Sequence, residues 1–145
     1  MPSQSSGASN QKVFCFGVFD GIHDGHREML KEARSLGNYL IISVTQDHIV
    51  EMLKKHKTRQ NLQERIDALK AAELADEVVA GDPDISTWKV LQSYQPDVIA
   101  LGYDQRHLLE AVTHAISHFT FPTTIHVLSP HRPDQLHSSL LFQST

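Results

Sequence analysis

One cysteine, Cys15, is all that 145 residues supply. A disulfide within the chain needs two, and a cysteine-built zinc site needs more, so neither is expected. The expected compartment is reducing, namely the cytoplasm. Long apolar runs are missing as well. None approaches the ~18 residues of a membrane span, and no membrane contact is expected. Positive charge is scarce: 13 Lys and Arg stand against 17 Asp and Glu, a net charge of −4. That balance argues against a nucleic-acid binder, which concentrates Lys and Arg. What remains is ordinary for a globular protein, 40% hydrophobic and 21% charged, at a length suited to one domain. Residues 1–11 are polar, Ser-rich and without periodicity, and read as a disordered tail with no apolar core for a signal peptide. Residues 12–145 then form a single domain.

Short apolar, β-prone runs fall at Lys12–Phe19, Tyr39–Thr45, Glu77–Ala80, Asp97–Leu101 and Thr124–Leu128. Segments with a helical apolar stripe lie between them, at Arg27–Leu36, Gln46–Lys55, Asn61–Leu74, Ser86–Tyr94 and Gln105–Ser117. Gly37 sits where a C′ glycine ends the first of these helices. Asn61 with Glu64 fits a capping-box start, and Ser86 is a candidate cap. Residues 129–145 read as a loop ending in a turn or two of helix. Strand–helix alternation implies βαβ units, right-handed crossovers and a doubly wound, Rossmann-like parallel sheet of five strands with helices on both faces. Such sheets bind ligands beyond the carboxyl ends of their strands, where strand order reverses.

The loop after the first strand is the richest in chemistry. Gly17-Val18-Phe19-Asp20-Gly21-Ile22-His23-Asp24-Gly25-His26 is neither a Walker A loop nor the dinucleotide fingerprint. It still packs glycines and two histidines into one strand-to-helix turn. Gly25 lets the backbone come close to a ligand, and the helix beginning near His26 points free N–H groups into the crevice. Such a site suits a phosphate undergoing substitution. The plain alternative is a tight turn with one histidine capping the helix.

His23-Asp24-Gly25-His26, preceded by Gly17–Gly21, resembles the HxGH signature of the cytidylyltransferase-like nucleotidyltransferases. Lys54–Arg65 resembles that family's lysine loop and the helix start after it. Leu101-Gly102-Tyr103-Asp104-Gln105 resembles its Gly-x-Asp segment. His137-Ser138-Ser139 resembles its terminal hydroxyl motif, with Arg132 placed like the arginine before it. The likeness spans Lys12–Ser139. It implies a catalytic set of His23, His26, Lys54, Lys57 and Arg132. It implies a nucleotide pocket built from Gly17, Phe19, Asp20, Gly25, Arg65, Gly102, Asp104, Gln105, Ser138 and Ser139. It implies ATP or CTP as donor, a phosphorylated small molecule as acceptor, Mg²⁺ entering with the nucleotide and no metal site of the protein's own. A homodimer is an assembly to test. Leu101–Gln105 with His137–Ser139 is most similar to the flavin branch, whose members adenylylate FMN. The glycerol-3-phosphate cytidylyltransferase branch is the runner-up.

Two departures stand out. Asp24 fills a position where an apolar residue or proline is more usual, and the chain ends six residues after Ser139. They keep open a nucleotide-binding module without turnover. A metal-dependent hydrolase built on the histidines is a third reading. Other features read blandly. Lys54, Lys55, Lys57 and Arg59 form a basic cluster that would ordinarily be a solvated face. Arg65 could simply pair with a nearby carboxylate, and Asp104 could cap the next helix. His114 and His118 lie at i, i+4 without a third ligand. Trp88 reads as core or interface, and Cys15 as a buried small hydrophobe.

Overall fold

The computed structural model describes residues 11–84 and 87–130. The tail up to residue 10, Ser86, and Arg132, Ser138 and Ser139 lie outside the described residues, as does the helical turn expected near the end.

Strands β1 (Lys12–Gly17), β2 (Tyr39–Val44), β3 (Glu77–Ala80), β4 (Val98–Leu101) and β5 (Thr124–Val127) form one sheet in the order β3-β2-β1-β4-β5. Every pair is parallel. Helices α1 (Asp24–Ser35), α2 (Asp47–Lys54), α3 (Leu62–Ala71), α4 (Lys89–Tyr94) and α5 (Arg106–Ile116) fill the connections. The expected doubly wound α/β sheet is the one observed.

Successive strand side chains leave on opposite faces. Val13 and Cys15 therefore join Leu40, Ile42 and Ala100 beneath Leu30 and Ala33 of α1 and Ile66 and Leu69 of α3. Phe14 joins Ile41, Ile99 and Leu101 beneath Leu91 of α4 and Val112 of α5. Both faces are covered, which is why the strands read as continuous apolar runs rather than as alternation. Full burial of a side chain such as Phe14 or Ile41 contributes about 1.5–3 kcal/mol. The order reverses between β1 and β4, so a crevice opens beyond their carboxyl ends.

Several boundaries differ from the sequence reading, each for a local reason. β1 stops at Gly17 because Phe19 takes a left-handed conformation, φ 53°. α1 begins at Asp24 rather than near His26 because His23 caps it. α3 ends at Ala71, two residues before left-handed Glu73, φ 55°. α4 starts after Trp88, itself left-handed at φ 56°. Gly37 follows the C-cap but is not left-handed. A Cβ there would lie 2.5 Å from the Gln11 carbonyl oxygen, so the glycine is needed for close approach.

Candidate active site

The His-Gly-His turn folds as a reciprocal cap. The His23 ring accepts the Gly25 and His26 backbone N–H groups at Nδ1, at 3.1 and 3.4 Å. The His26 ring accepts the His23 N–H at its own Nδ1, at 3.3 Å. The arrangement is a capping box in which histidines take both side-chain roles. Because a backbone N–H can only donate, each Nδ1 must be bare, and in the neutral ring the proton sits on Nε2. The rings stack at 3.7 Å between centroids, 22° from parallel. Gly25 leaves room for this: a Cβ would stand 3.0 Å from His23 Cε1. The left-handed, buried Phe19 places its ring 5.1 Å from that of His26, in space that Gly17 leaves open. Burial, then the neighbouring His23, push the His26 pKa down to about 4, with the Gly21 carbonyl opposing. His26 is therefore neutral near pH 7. Capping uses Nδ1, which leaves the Nε2 edge of His23, while the Gly21 carbonyl meets the other edge of His26.

A second group of contacts ties the basic loop to this turn. The Asp20 carboxylate is held by backbone: Oδ1 accepts the Gln60 N–H at 2.9 Å and Oδ2 the Arg59 N–H at 2.8 Å. Arg59 Nη2 returns a bond to the Asp20 carbonyl at 3.2 Å. Arg65 is fully buried. It donates to the Gln60 carbonyl at 3.1 Å, to the Val18 carbonyl at 2.9 Å and to Asp47 Oδ1 at 2.6 Å. Of its two readings, pairing with a nearby carboxylate is the one this geometry displays. Asp47, the first residue of α2, also accepts the Leu62 N–H. Burial raises its carboxyl pKa, but hydrogen bonds from Arg65, Leu62 and Thr58 outweigh that and hold it below the usual range. Asp47 was missed in the sequence. Its signal is position, three residues past β2 at the ligand edge of the sheet.

Across the crevice, Gly102 follows β4, and Tyr103 and Asp104 are exposed. Gln105 turns both ends of its amide onto backbone, accepting the Gly102 N–H and donating to the Phe16 carbonyl. Lys54 closes the last turn of α2. Desolvation lowers its pKa, and the charge of Asp104 opposes that, which sets the end of α2 facing the β4 exit. Lys55 is left-handed at φ 65° and turns the chain out of α2, and Lys57 is exposed. The chain leaving β5 is fastened to α1, where Glu32 accepts the Ser129 N–H at 3.0 Å and lies 3.5 Å from His126 Nε2. The structure thus gathers His23, His26, Gly25, Gly17 and Phe19 at one turn, Asp20 and Arg65 behind it, and Lys54, Gly102, Asp104 and Gln105 around the crevice. Two shallow grooves, about 410 and 550 Å³, lie at the opposite end of the sheet, lined in part by Glu73, Ala75 and Asp76.

The profile of the cytidylyltransferase-like family matches residues 14–139. This chain belongs to that family. It is a nucleotidyltransferase family, and the relatives within it are specific. A FAD synthase of Thermococcus sibiricus is 39% identical over 101 residues, which are 70% of this chain and 68% of that one. A FAD synthase of Methanobrevibacter smithii is 33% identical over 110 residues, 74% of this chain and 71% of that one. A FAD synthase of Pyrococcus horikoshii is 40% identical over 94 residues, 65% of this chain and 64% of that one. The matches thus span about two thirds of these relatives' own lengths. Among solved structures, a lipopolysaccharide core biosynthesis protein from Thermoplasma volcanium superposes with TM-score 0.72 at 25% identity, covering 84% of this chain and 98% of that one. A pantoate-beta-alanine ligase from Francisella tularensis, 16% identical with TM-score 0.58 over 81% of this chain and 58% of that one, shares the fold. The His turn and the β4 exit lie at the crevice where strand order reverses. No helix among the described residues is long and apolar enough to cross a membrane.

Proposed function

We propose that this chain adenylylates FMN, forming FAD from ATP and releasing pyrophosphate. The observation that carries the chemistry is the reciprocal histidine cap. With each Nδ1 held by backbone, His23 and His26 keep Nε2 protons for an anion at the N-terminus of α1, where backbone and dipole already favour negative charge. On this reading a phosphate oxygen of FMN attacks the α-phosphorus in line as pyrophosphate leaves. The acceptor phosphate is already a nucleophile, so catalysis is positioning plus stabilisation of charge. His23 and His26 hold oxygens at the α-phosphate, the His26 proton exchanging the Gly21 carbonyl for phosphate. A neutral His26 suits the task, since it donates without needing a proton from solvent. Lys54 or Lys57 meets the β- and γ-phosphates, and Arg132, Ser138 and Ser139 complete the leaving-group site. Among the described residues no three His, Cys, Asp or Glu side chains converge on one point. On this reading Mg²⁺ would come in on the triphosphate and would screen phosphate charge there.

FMN as acceptor is supported by the FAD synthases this chain resembles and by the apolar surface at the crevice rim. Ile49 and Val50 are buried in the core, but Met52, Leu53 and Tyr103 are exposed, at 52%, 63% and 41%. Exposed apolar groups on both sides of the rim suit a flat ring. The reaction is proposed for a soluble setting, with homodimerisation to be read by light scattering. A pyrophosphate-release matrix tests the assignment, pairing ATP and CTP with FMN, glycerol 3-phosphate, phosphocholine and phosphopantetheine. ATP with FMN is expected to be the fastest pair. CTP with glycerol 3-phosphate in first place would hand the site to the cytidylyltransferase reading, and no release from any pair would leave a nucleotide-binding module.

A further inference from the structure

Gln105 is the N-cap residue of α5, yet its side chain makes no bond to its own helix. A polar N-cap side chain ordinarily satisfies the first free N–H groups of its helix. Gln105 forgoes that and spans two strands. Its Oε1 accepts the Gly102 N–H at 2.7 Å, and its Nε2 donates to the Phe16 carbonyl at 3.2 Å. The amide cannot be turned round, because Gly102 presents a donor and Phe16 an acceptor.

The location gives this bridge its meaning. Pairing between β1 and β4 runs through Val13–Val98, Phe14–Ile99 and Cys15–Ala100, and stops there. The next residues toward the crevice are Phe16 on β1 and Leu101 and Gly102 on the β4 side. Between β1 and β2 the pairing continues to Gly17–Val44. The sheet therefore opens only on the β4 side, and it opens at the point where strand order reverses. The Gln105 carboxamide sits in that opening. It is itself an amide, and it supplies the N–H for Phe16 and the carbonyl for Gly102 that a paired backbone would have supplied. Gly102 is a buried glycine whose Cβ would come within 3.4 Å of Gln105 Oε1 and 3.0 Å of Asp104 Oδ1, so a side chain there would press on the bridge.

We infer that Gln105 is a positioning residue that replaces the missing β1–β4 rung with its carboxamide, and so fixes the spacing between the histidine turn and the Tyr103–Asp104 segment without touching the nucleotide. This deepens the nucleotide-binding reading and rests on it. On this inference Gln105 acts through the backbone at Gly102 and Phe16, to which both polar ends of its side chain are bonded.

The experiment uses the whole chain without acceptor, so a failure to make FAD would not bear on it. Amide hydrogen exchange is measured at Gly102, and binding of ATP is compared with that of purine riboside triphosphate, which lacks the exocyclic amino group. In the wild type the Gly102 amide is expected to exchange slowly. In Gln105→Met, of similar length but without donor or acceptor, exchange at Gly102 is expected to rise at least about tenfold. Affinity for both nucleotides is expected to fall by the same factor, about tenfold. A loss for ATP alone would mean that Gln105 reads the adenine edge, and would overturn the inference. Unchanged affinity would overturn it as well. Fast Gly102 exchange in the wild type would do so without any variant, including the case where the variant does not fold.

Discussion

His23 carries two duties on one ring, and the two can be pulled apart. Its Nδ1 caps α1 by accepting the Gly25 and His26 N–H groups. His23→Ala removes the cap and the Nε2 proton together. It is expected to cost about 1 kcal/mol of stability and to lower turnover about 10²-fold or more. His23→Asn keeps a capping oxygen but loses the Nε2 donor. Its melting is expected to stay near wild type while turnover falls as in the alanine variant. An asparagine variant with wild-type turnover would show that the ring serves the fold alone. His26 adds a pH signature. An unfolded histidine titrates near the ordinary 6.5, but in the folded chain burial and His23 lower His26 to about 4. Between those values the unfolded chain binds a proton that the folded chain refuses. Stability is therefore full above about pH 6.5 and falls as pH drops toward 4. Melting of His26→Gln measured across that window is expected to fall less steeply than wild type, and parallel curves would remove His26 from the effect.

At the scale of elements, Arg65 is the joint of the basic loop. One guanidinium binds the β1 exit through Val18, the loop through Gln60 and the start of α2 through Asp47. Arg65→Met keeps the bulk and removes the donors. Loss is expected near about 3 kcal/mol, the low end for a broken buried pair, because the Asp47 side chain is still 42% exposed. Chemical denaturation reads this directly, and a loss under about 1 kcal/mol would contradict it. The loop itself is tested at Lys54. Lys54→Ala is expected to weaken ATP binding several-fold more than AMP binding, since the lysine is assigned to the outer phosphates. Calorimetric titration with both nucleotides checks it, and equal weakening would move Lys54 away from them. These contacts also mark where reading the sequence stops. Strands β1, β2 and β4 announced themselves because both their faces are covered and their central positions are apolar. The Asn61–Glu64 capping box was legible because both partners lie within one turn. Arg65 finds Asp47 across 18 residues, Asp20 finds Gln60 across 40, and Gln105 finds Phe16 across 89. A side chain's type declares what it can donate. Only the fold decides to whom: here Asp20, Arg65 and Gln105 bond to backbone far along the chain.

In the whole molecule, a doubly wound sheet opens a crevice where β1 and β4 part, and the histidine turn stands beside it. The sheet was foreseeable because strand–helix alternation leaves few topologies. The histidine turn was foreseeable because its glycine and two histidines are adjacent in sequence. The acceptor was not legible from physical reasoning alone, since FMN and glycerol 3-phosphate present the same attacking phosphate. It came from resemblance, and the exposed Met52, Leu53 and Tyr103 add only a surface of suitable character. The most direct test of the central claim follows the product. The chain is incubated with ATP, Mg²⁺ and FMN, and FAD and pyrophosphate are quantified by chromatography and a coupled assay. The account predicts FAD and pyrophosphate in equal amounts, with FAD formation falling about 10²-fold in His23→Asn. Absence of FAD from the wild type, while CTP and glycerol 3-phosphate release pyrophosphate, would contradict it.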